Sequence, residues 1–168
     1  MSSRHVFRHM PFAADDLHNL AWEVLDYPKF INFITSVRIL SSTQTTMRAE
    51  VRVRYKVLRE SFITDVTRDL QTGEIFVKLA RGPLRKLENN WRFHILSDGS
   101  TLLEFWVDYA FAVPWLGKIF KNKQARAEDT ILNAFEARAK QRFNRVDDSN
   151  PISSTLAEEI KTLQRVTQ

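Results

Sequence analysis

The sequence predicts an α+β fold in which a curved antiparallel sheet of about seven strands surrounds a long C-terminal α-helix. Two adjacent segments carry this prediction. From Thr101 to Val113 apolar residues recur at every second position, which is typical of a long strand. From Pro114 to about Phe143 they recur at steps of three and four, which is the period of a helix. At about 43–45 Å each, the strand and the helix would match in length and enclose apolar space between them.

The composition indicates one globular domain with a large apolar core. The chain has 168 residues, 43% of them hydrophobic, with twelve Phe and only four Gly. The absence of Cys excludes disulfides, thiol catalysis and cysteine-bound metals. No apolar run is long enough to span a membrane and no secretion signal is recognisable, so we expect a cytoplasmic protein. The net charge of +5 suits anionic lipid or nucleic acid as partner, but many basic proteins bind neither.

The first elements follow from the positions of prolines and the apolar spacing. Residues 4–10 predict a strand that ends at Pro11, and a helix follows with acidic residues in its first turn. We expect residues 26–28 to end this helix, because a residue before proline avoids the helical region, and residues 29–34 to form one further helical turn. The apolar face of the helix comprises Leu17, Leu20, Ala21, Val24 and Leu25.

Strands dominate the middle of the chain. Apolar residues at alternate positions predict antiparallel strands with one buried face. Asp98-Gly99 predicts a tight turn between the last two strands, and Gly73 predicts a weaker one earlier. The alternating segments before that last strand are residues 47–55, 60–66, 74–80 and 87–95.

We divide the chain into one main domain at residues 1–145 and a polar C-terminal tail at residues 146–168. Within the tail, Thr155 and Glu158 have the spacing of a helix-capping box. A helix this short is marginal alone, so we expect it to dock weakly or fray. Its apolar residues at helical spacing are Leu156, Ile160, Leu163 and Val166.

Side chains that usually carry catalysis or bind metals form no recognisable pattern. The histidines lack metal-ligand spacing, and the few glycines make a phosphate-binding loop improbable. We therefore predict no catalytic residue, no metal and no enzymatic activity. The scattered histidines are His5, His9, His18 and His94.

The shared inward phase of the strands predicts a wall that faces the long helix. Ordinary core packing would give the same pattern, so both interpretations stay open. Glu60 shares the inward face and would either orient a polar head group or form an ion pair, whereas alternation places Glu104 on the outer surface. The predicted ligand-binding residues are Val53, Tyr55, Glu60, Phe62, Trp91, Phe93, Phe105, Val107, Tyr109, Phe111, Ile131 and Phe135.

Two basic segments are candidates for membrane contact. The first is a stripe on one strand face, which solvation and protection of the sheet edge explain adequately and for which contact with a membrane or RNA is the alternative; it comprises Arg48, Arg52, Arg54 and Lys56. The segment from Trp115 to Lys123 mixes aromatic, aliphatic and lysine side chains, which suits an interfacial contact but also a plug at the end of the sheet. The predicted membrane-contact residues are Trp115, Lys118, Ile119, Phe120, Lys121 and Lys123.

Several motifs occur in the order found in the coenzyme-Q-binding START-like family of the polyketide cyclase/dehydrase superfamily. Asp26-Tyr27-Pro28-Lys29-Phe30 resembles the family's YPxF segment, and Glu60-x-Phe62-x-Thr64-x-Val66 resembles its E-x-Y-x-S-x-V strand. Leu87-x-x-x-Trp91-x-Phe93 is similar to its L-x-x-x-W-x-F strand, and Ala134-Phe135-Glu136-x-Arg138-Ala139 to its A-F-E-x-R-A helix. Phe62 and Thr64 stand where the family commonly has Tyr and Ser. The resemblance covers about residues 5–143.

The resemblance implies a helix-grip (START-like) fold that binds ubiquinone or a similar isoprenoid lipid as a non-enzymatic carrier or chaperone supporting respiration. We further expect peripheral association with the inner membrane, no cofactor apart from the bound ubiquinone, and no DNA partner. Because the family includes bacterial ribosome-association toxins, a ribosome-associated regulator of translation is the alternative function. A cyclase- or aromatase-type enzyme is a further alternative, but only Glu60 stands out as a titratable group for such chemistry.

Overall fold

The computed structural model describes residues 2–112, 127–146 and 152–167. The strands are β1 (Ser2–Met10), β2 (Ile34–Ser42), β3 (Thr46–Tyr55), β4 (Leu58–Arg68), β5 (Ile75–Arg81), β6 (Leu84–Ile95) and β7 (Thr101–Phe111). The helices are α1 (Ala14–Trp22), a 3-10 helix (Val24–Lys29), α2 (Ala127–Arg142) and α3 (Ser154–Val166).

The described strands form one seven-stranded antiparallel sheet in the order β1-β7-β6-β5-β4-β3-β2. The chain therefore forms a meander from β2 to β7 and returns its first strand to the far edge, beside its last. The predicted tight turn joins β6 to β7, where Gly99 has a φ of +85° and the Ser100 N–H donates to the Asp98 carboxylate. The predicted fold class, an α+β sheet of seven strands with a C-terminal helix, is confirmed.

The main core lies between α1, α2 and the inner face of β1, β7 and β6. The Trp91 ring lies 4.7 Å from the Phe105 ring and 5.2 Å from that of Phe135, centroid to centroid. Such tilted aromatic pairs add about 0.5–1.5 kcal/mol each beyond their burial. The fully buried side chains of this layer include Phe12, Leu17, Leu20, Leu103, Leu132 and Phe135.

The first helix ends earlier than predicted. It stops at Trp22, and the following 3-10 helix runs through Pro28 to Lys29, so the extra helical turn lies at residues 24–29 instead of 29–34, and Ile34 already begins β2. The Ala21 carbonyl, left without an intrahelical donor at the helix end, accepts a hydrogen bond from the Tyr27 hydroxyl. This contact turns the chain back under the sheet.

Leu25 does not belong to the apolar face of α1 as predicted. It lies in the 3-10 helix, and its side chain is 55% exposed. The break after Trp22 changes the periodicity from about 3.6 to about 3.0 residues per turn, which rotates the next residues out of phase.

Two helix predictions concern the C-terminal half of the chain. The predicted long helix is described from Ala127 to Arg142, and its proposed first part at residues 114–126 lies outside the described residues. The tail forms α3, capped by Ser153, whose hydroxyl accepts from the Leu156 N–H at 3.2 Å. The predicted Thr155 cap is therefore wrong, because the helix begins one residue before it.

The tail helix packs on the outer face of the sheet, opposite the main core. Leu156 is buried against Leu96 and Leu102 in a small second cluster. Glu159 accepts hydrogen bonds from the backbone and hydroxyl of Ser97, which fixes the helix to the β6–β7 turn. The cluster is completed by Phe7, Ile160 and Leu163, while Val166 is exposed.

Candidate functional site

A largely apolar cavity of about 350 Å³ lies between the inner face of the sheet, the 3-10 helix and α2. At one end it adjoins the main core, and it extends towards the β3–β4 and β5–β6 turns, where Tyr55, Leu58, Pro83 and Leu84 line it. In size the cavity stands at the lower end of the roughly 300–1,000 Å³ typical of ligand pockets.

All but two of the predicted ligand-binding residues lie in the cavity wall. They are Val53, Tyr55, Glu60, Phe62, Trp91, Phe105, Val107, Tyr109, Phe111 and Ile131. Phe93 and Phe135 instead belong to the adjoining core, at the end where sheet and helices touch. The Phe93 ring packs against His18 of α1, and Phe135 is fully buried beside Trp91. Contact of the wall residues with a ligand remains a prediction.

Other wall residues were not predicted from the sequence. The 3-10 helix and the segment after it contribute Tyr27, Ile31 and Phe33, which are placed by the unforeseen break after α1. Asn89 on β6 also lines the cavity. It has the same phase as Leu87 and Trp91, so strict alternation could have found it.

Polar groups in the wall are few. The Tyr27 hydroxyl donates a hydrogen bond to the Ala21 carbonyl. Burial raises the pKa of this phenol well above its ordinary value, so the hydroxyl stays protonated and remains a donor. The Asn89 carbonyl oxygen accepts from the Trp91 indole N–H at 3.1 Å. Glu60 lies half-buried at the end near the β3–β4 turn.

The most deeply buried carboxylate of the wall is Glu128, in the first turn of α2 and 2% exposed. Its Oε1 lies 3.3 Å from Nε of Arg4 on β1, yet neither carboxylate oxygen has a hydrogen-bond donor among the described residues. Buried charges usually have such donors, so this group is exceptional.

Glu104 lies on the outer face as predicted, but it is buried rather than solvated, with 5% exposure. His5 and His94 each place Nε2 against one carboxylate oxygen, at 2.9 and 2.6 Å, and Arg92 lies at 3.8 Å. Histidines that looked scattered in the sequence thus meet because β1, β7 and β6 are neighbours. Among the described residues no group of three or more His, Cys, Asp or Glu side chains is arranged to hold a metal ion.

A cluster of exposed cations stands at the end of the sheet that the cavity reaches. We call it the cationic rim; it comprises Arg54, Lys56 and Arg59 at the β3–β4 turn and Arg81 and Arg85 at the β5–β6 turn. Within the described part of the chain none of them forms an ion pair, whereas Arg48 and Arg52 pair with Asp65 and Glu50.

The tip of the β3–β4 turn is Val57, which is 93% exposed. Tyr55 and Leu58 beside it line the cavity, so the tip, the rim and the cavity are contiguous. The predicted contact segment Trp115–Lys123 lies outside the described residues. Among the helices of the described residues, none is long and apolar enough to cross a bilayer.

Comparison with known proteins places this geometry in a family. The ribosome association toxin RatA of Escherichia coli K12 is 31% identical over 141 residues, covering 80% of this chain and 85% of RatA. The solution structure of the 18 kDa protein CC1736 from Caulobacter crescentus is 34% identical with a TM-score of 0.69, covering 84% of this chain and 97% of that one. A START superfamily protein from Mycobacterium smegmatis shares the fold at 20% identity and a TM-score of 0.69, covering 84% and 99%.

The family model described as "Polyketide cyclase / dehydrase and lipid transport" matches residues 10–136. This range runs from the end of β1 into α2 and contains every described residue that lines the cavity. The chain belongs to the polyketide cyclase/dehydrase and lipid transport family.

Proposed function

We propose that this protein binds an isoprenoid quinone, or a lipid of similar shape, in its cavity and carries it without chemical change. The observation that carries the proposal is the apolar cavity between sheet and α2, lined by aromatic and aliphatic side chains. Transfer of each CH₂-sized group from water into such a space is worth about 0.8 kcal/mol. About ten buried carbons therefore supply the gross free energy of a micromolar complex, before the cost of association.

The cavity volume suits a quinone ring and the start of its chain rather than a whole polyisoprenoid. At about 350 Å³ it is small for a ligand pocket, so the remaining chain must leave through the open end. That end carries the cationic rim and the exposed Val57. A carrier that supports respiration would load there, at the surface of the inner membrane, with the apolar chain passing directly from bilayer to cavity.

Cavity binding is tested with ubiquinone carrying two isoprene units, a chain short enough to be handled in solution, by native mass spectrometry. Val53 lines the cavity, and Val53→Phe fills part of it, so we expect affinity for the quinone to fall at least tenfold. The matched control is Val57→Phe, the same change at the exposed tip, which should bind like the parent. Equal binding by both variants would contradict the cavity as the site. Recovery of unaltered quinone from the complex is the outcome expected of a carrier rather than an enzyme.

Bilayer contact is tested by sedimentation with vesicles containing anionic phospholipid. Each rim cation near such a surface is worth about 1 kcal/mol, so replacing Arg54, Lys56 and Arg59 with Gln should strongly reduce binding. The control triple replaces Arg38, Arg48 and Arg52, which lie on β2 and β3, change the net charge equally and are ion-paired in the parent. Binding should weaken with added salt, because surface charges are screened within about 10 Å at 0.1 M. Equal loss in both triples would refute the rim as the contact.

A second candidate, association with the ribosome, is favoured by the 31% identity to a ribosome association toxin over 80% of this chain. The unpaired rim would then face RNA phosphates instead of lipid phosphates. Sucrose-gradient sedimentation with ribosomal subunits distinguishes the two functions. Co-sedimentation that depends on the rim, together with no vesicle binding, would establish the ribosome as the partner and leave the cavity incidental.

A further inference from the structure

We propose that Glu128 and Asn89 form a polar anchor inside the cavity that selects a ligand bearing a hydroxyl group, a quinol or another lipid alcohol, over the corresponding quinone. This inference rests on the proposed function, because it names the head group that the same cavity prefers. The observation behind it is a carboxylate that is 2% exposed, lines the cavity, and has no hydrogen-bond donor on either oxygen among the described residues.

The two anchor residues line the same cavity, at the two ends of one row of paired strand residues. Arg4 on β1 is the direct partner of Val107 on β7, which is in turn the direct partner of Asn89 on β6. Directly paired residues project to the same face, and neighbouring strands are about 4.8 Å apart, so this row spans roughly 10 Å. Glu128 reaches down to the Arg4 end of the row at 3.3 Å, while Val107 and Asn89 line the cavity.

Glu128 is equipped to accept hydrogen bonds and receives none from the described chain. The Arg4 contact balances its charge, but the N–H of Nε is not directed at the carboxylate oxygen, and Oε2 has no hydrogen-bond partner among the described residues. A buried carboxylate loses its water on folding and recovers that cost only through donors. A ligand hydroxyl in the cavity supplies one.

Asn89 supplies the complementary donor. The indole N–H of Trp91 can only donate, so the Asn89 atom that it contacts at 3.1 Å must be the amide oxygen. This fixes the orientation of the amide and leaves its NH₂ group without an acceptor among the described residues. One hydroxyl of a ligand can therefore donate its proton to Glu128, while a second ligand oxygen accepts from Asn89.

A quinone satisfies only half of this arrangement. One of its carbonyl oxygens accepts from Asn89, but the other turns its lone pairs towards the Glu128 carboxylate, and two acceptors facing each other in a desolvated site repel. Reduction of the quinone to the quinol adds the missing proton at that position. The same chain and ring are then bound with one more hydrogen bond to a charged group.

The test compares a short-chain ubiquinol with the ubiquinone of the same chain, measured anaerobically by isothermal titration. We expect the parent to bind the quinol at least tenfold more tightly, the range for a buried hydrogen bond to a charged group. Glu128→Gln keeps the size of the side chain but adds a donor, so it should weaken quinol binding, strengthen quinone binding and abolish the preference. Asn89→Leu should weaken both ligands, since both accept from the amide.

The matched control is Glu136→Gln, the same change on the same helix. Glu136 contacts Arg8 of β1 at 3.5 Å, as Glu128 contacts Arg4, but it does not line the cavity. Its variant should keep the parental preference for quinol. If Glu128→Gln keeps that preference as well, the anchor is refuted while cavity binding stands. If the parent binds neither ligand, the proposed function fails and the anchor with it.

Discussion

Glu104 and Glu128 are both buried glutamates beside the same sheet, and they differ in what surrounds the carboxylate. Glu104, on the outer face, is contacted by two histidines and an arginine. Glu128, on the inner face, has within the described part of the chain one cation at 3.3 Å and no hydrogen bond. A carboxylate that serves the fold is surrounded by donors that the fold itself supplies. A buried carboxylate that lines a cavity and lacks such donors is available to accept a hydrogen bond from a ligand in that cavity.

The largest effect is expected from Glu104→Ala. Removing the carboxylate leaves the partly buried side chains of His5, His94 and Arg92 without the group that they share. We expect a loss of about 3 kcal/mol in the free energy of unfolding, measured by urea denaturation. Glu88→Ala, at a half-buried carboxylate that forms an ion pair with Lys86 at 3.6 Å, is the control and should cost less than about 1 kcal/mol. Similar costs for both variants would show that Glu104 contributes no more to the stability of the fold than Glu88 does.

An intermediate result is expected at Glu128. Glu128→Gln removes a buried charge that makes no hydrogen bond, so the free energy of unfolding should change by no more than about 1 kcal/mol, in the stabilising direction. The urea midpoint of the ligand-free protein measures this. Should the variant instead be destabilised by several kcal/mol, the Arg4 contact would be structural, and the contrast between the two glutamates would disappear.

The smallest effect is expected at Asp26, a more exposed carboxylate with which the two buried ones, Glu104 and Glu128, can be compared. The hydrogen bond from Lys29 and the nearby Arg142 hold the pKa of Asp26 below its ordinary value. A lowered folded-state pKa means that the stabilisation is present above the unfolded value of about 3.9 and is lost as the pH falls through the folded value. Asp26→Asn should therefore cost about 0.5 kcal/mol at pH 7, and the difference from the parent should vanish in stronger acid. A difference that persists unchanged at pH 2 would contradict this.

The sequence was most informative where structure depends on local periodicity. Alternation identified which residues of β6 and β7 face inward, because a strand repeats every two residues whatever its neighbours are. It placed Phe105 and Val107 in the cavity wall, and it could also have placed Asn89 there.

What escaped prediction depends on contacts between distant segments. The meeting of His5 with Glu104 requires β1 to pair with β7, a register that no local pattern specifies. The end of α1 depends on a tyrosine hydroxyl six residues further along, and the burial of Glu104 depends on the layout of three strands. Glu128 looked like an ordinary acidic residue of a helix, because its missing donors become evident only in three dimensions.

The pairing of β1 with β7 also constrains how the chain folds during synthesis. Ser2 pairs with Tyr109 and Met10 with Thr101, so the strand made first must wait for the strand made last before it has any partner in the sheet. At about 5–20 residues per second, translation imposes a delay of roughly 5–20 s. Throughout that time the meander from β2 to β6 can assemble by short-range pairing, while closure of β1 on β7 contributes the long-range contacts that slow folding. Truncations that remove β7 would therefore leave β1 without a partner and one edge of β6 exposed, and both would be free to pair with other chains.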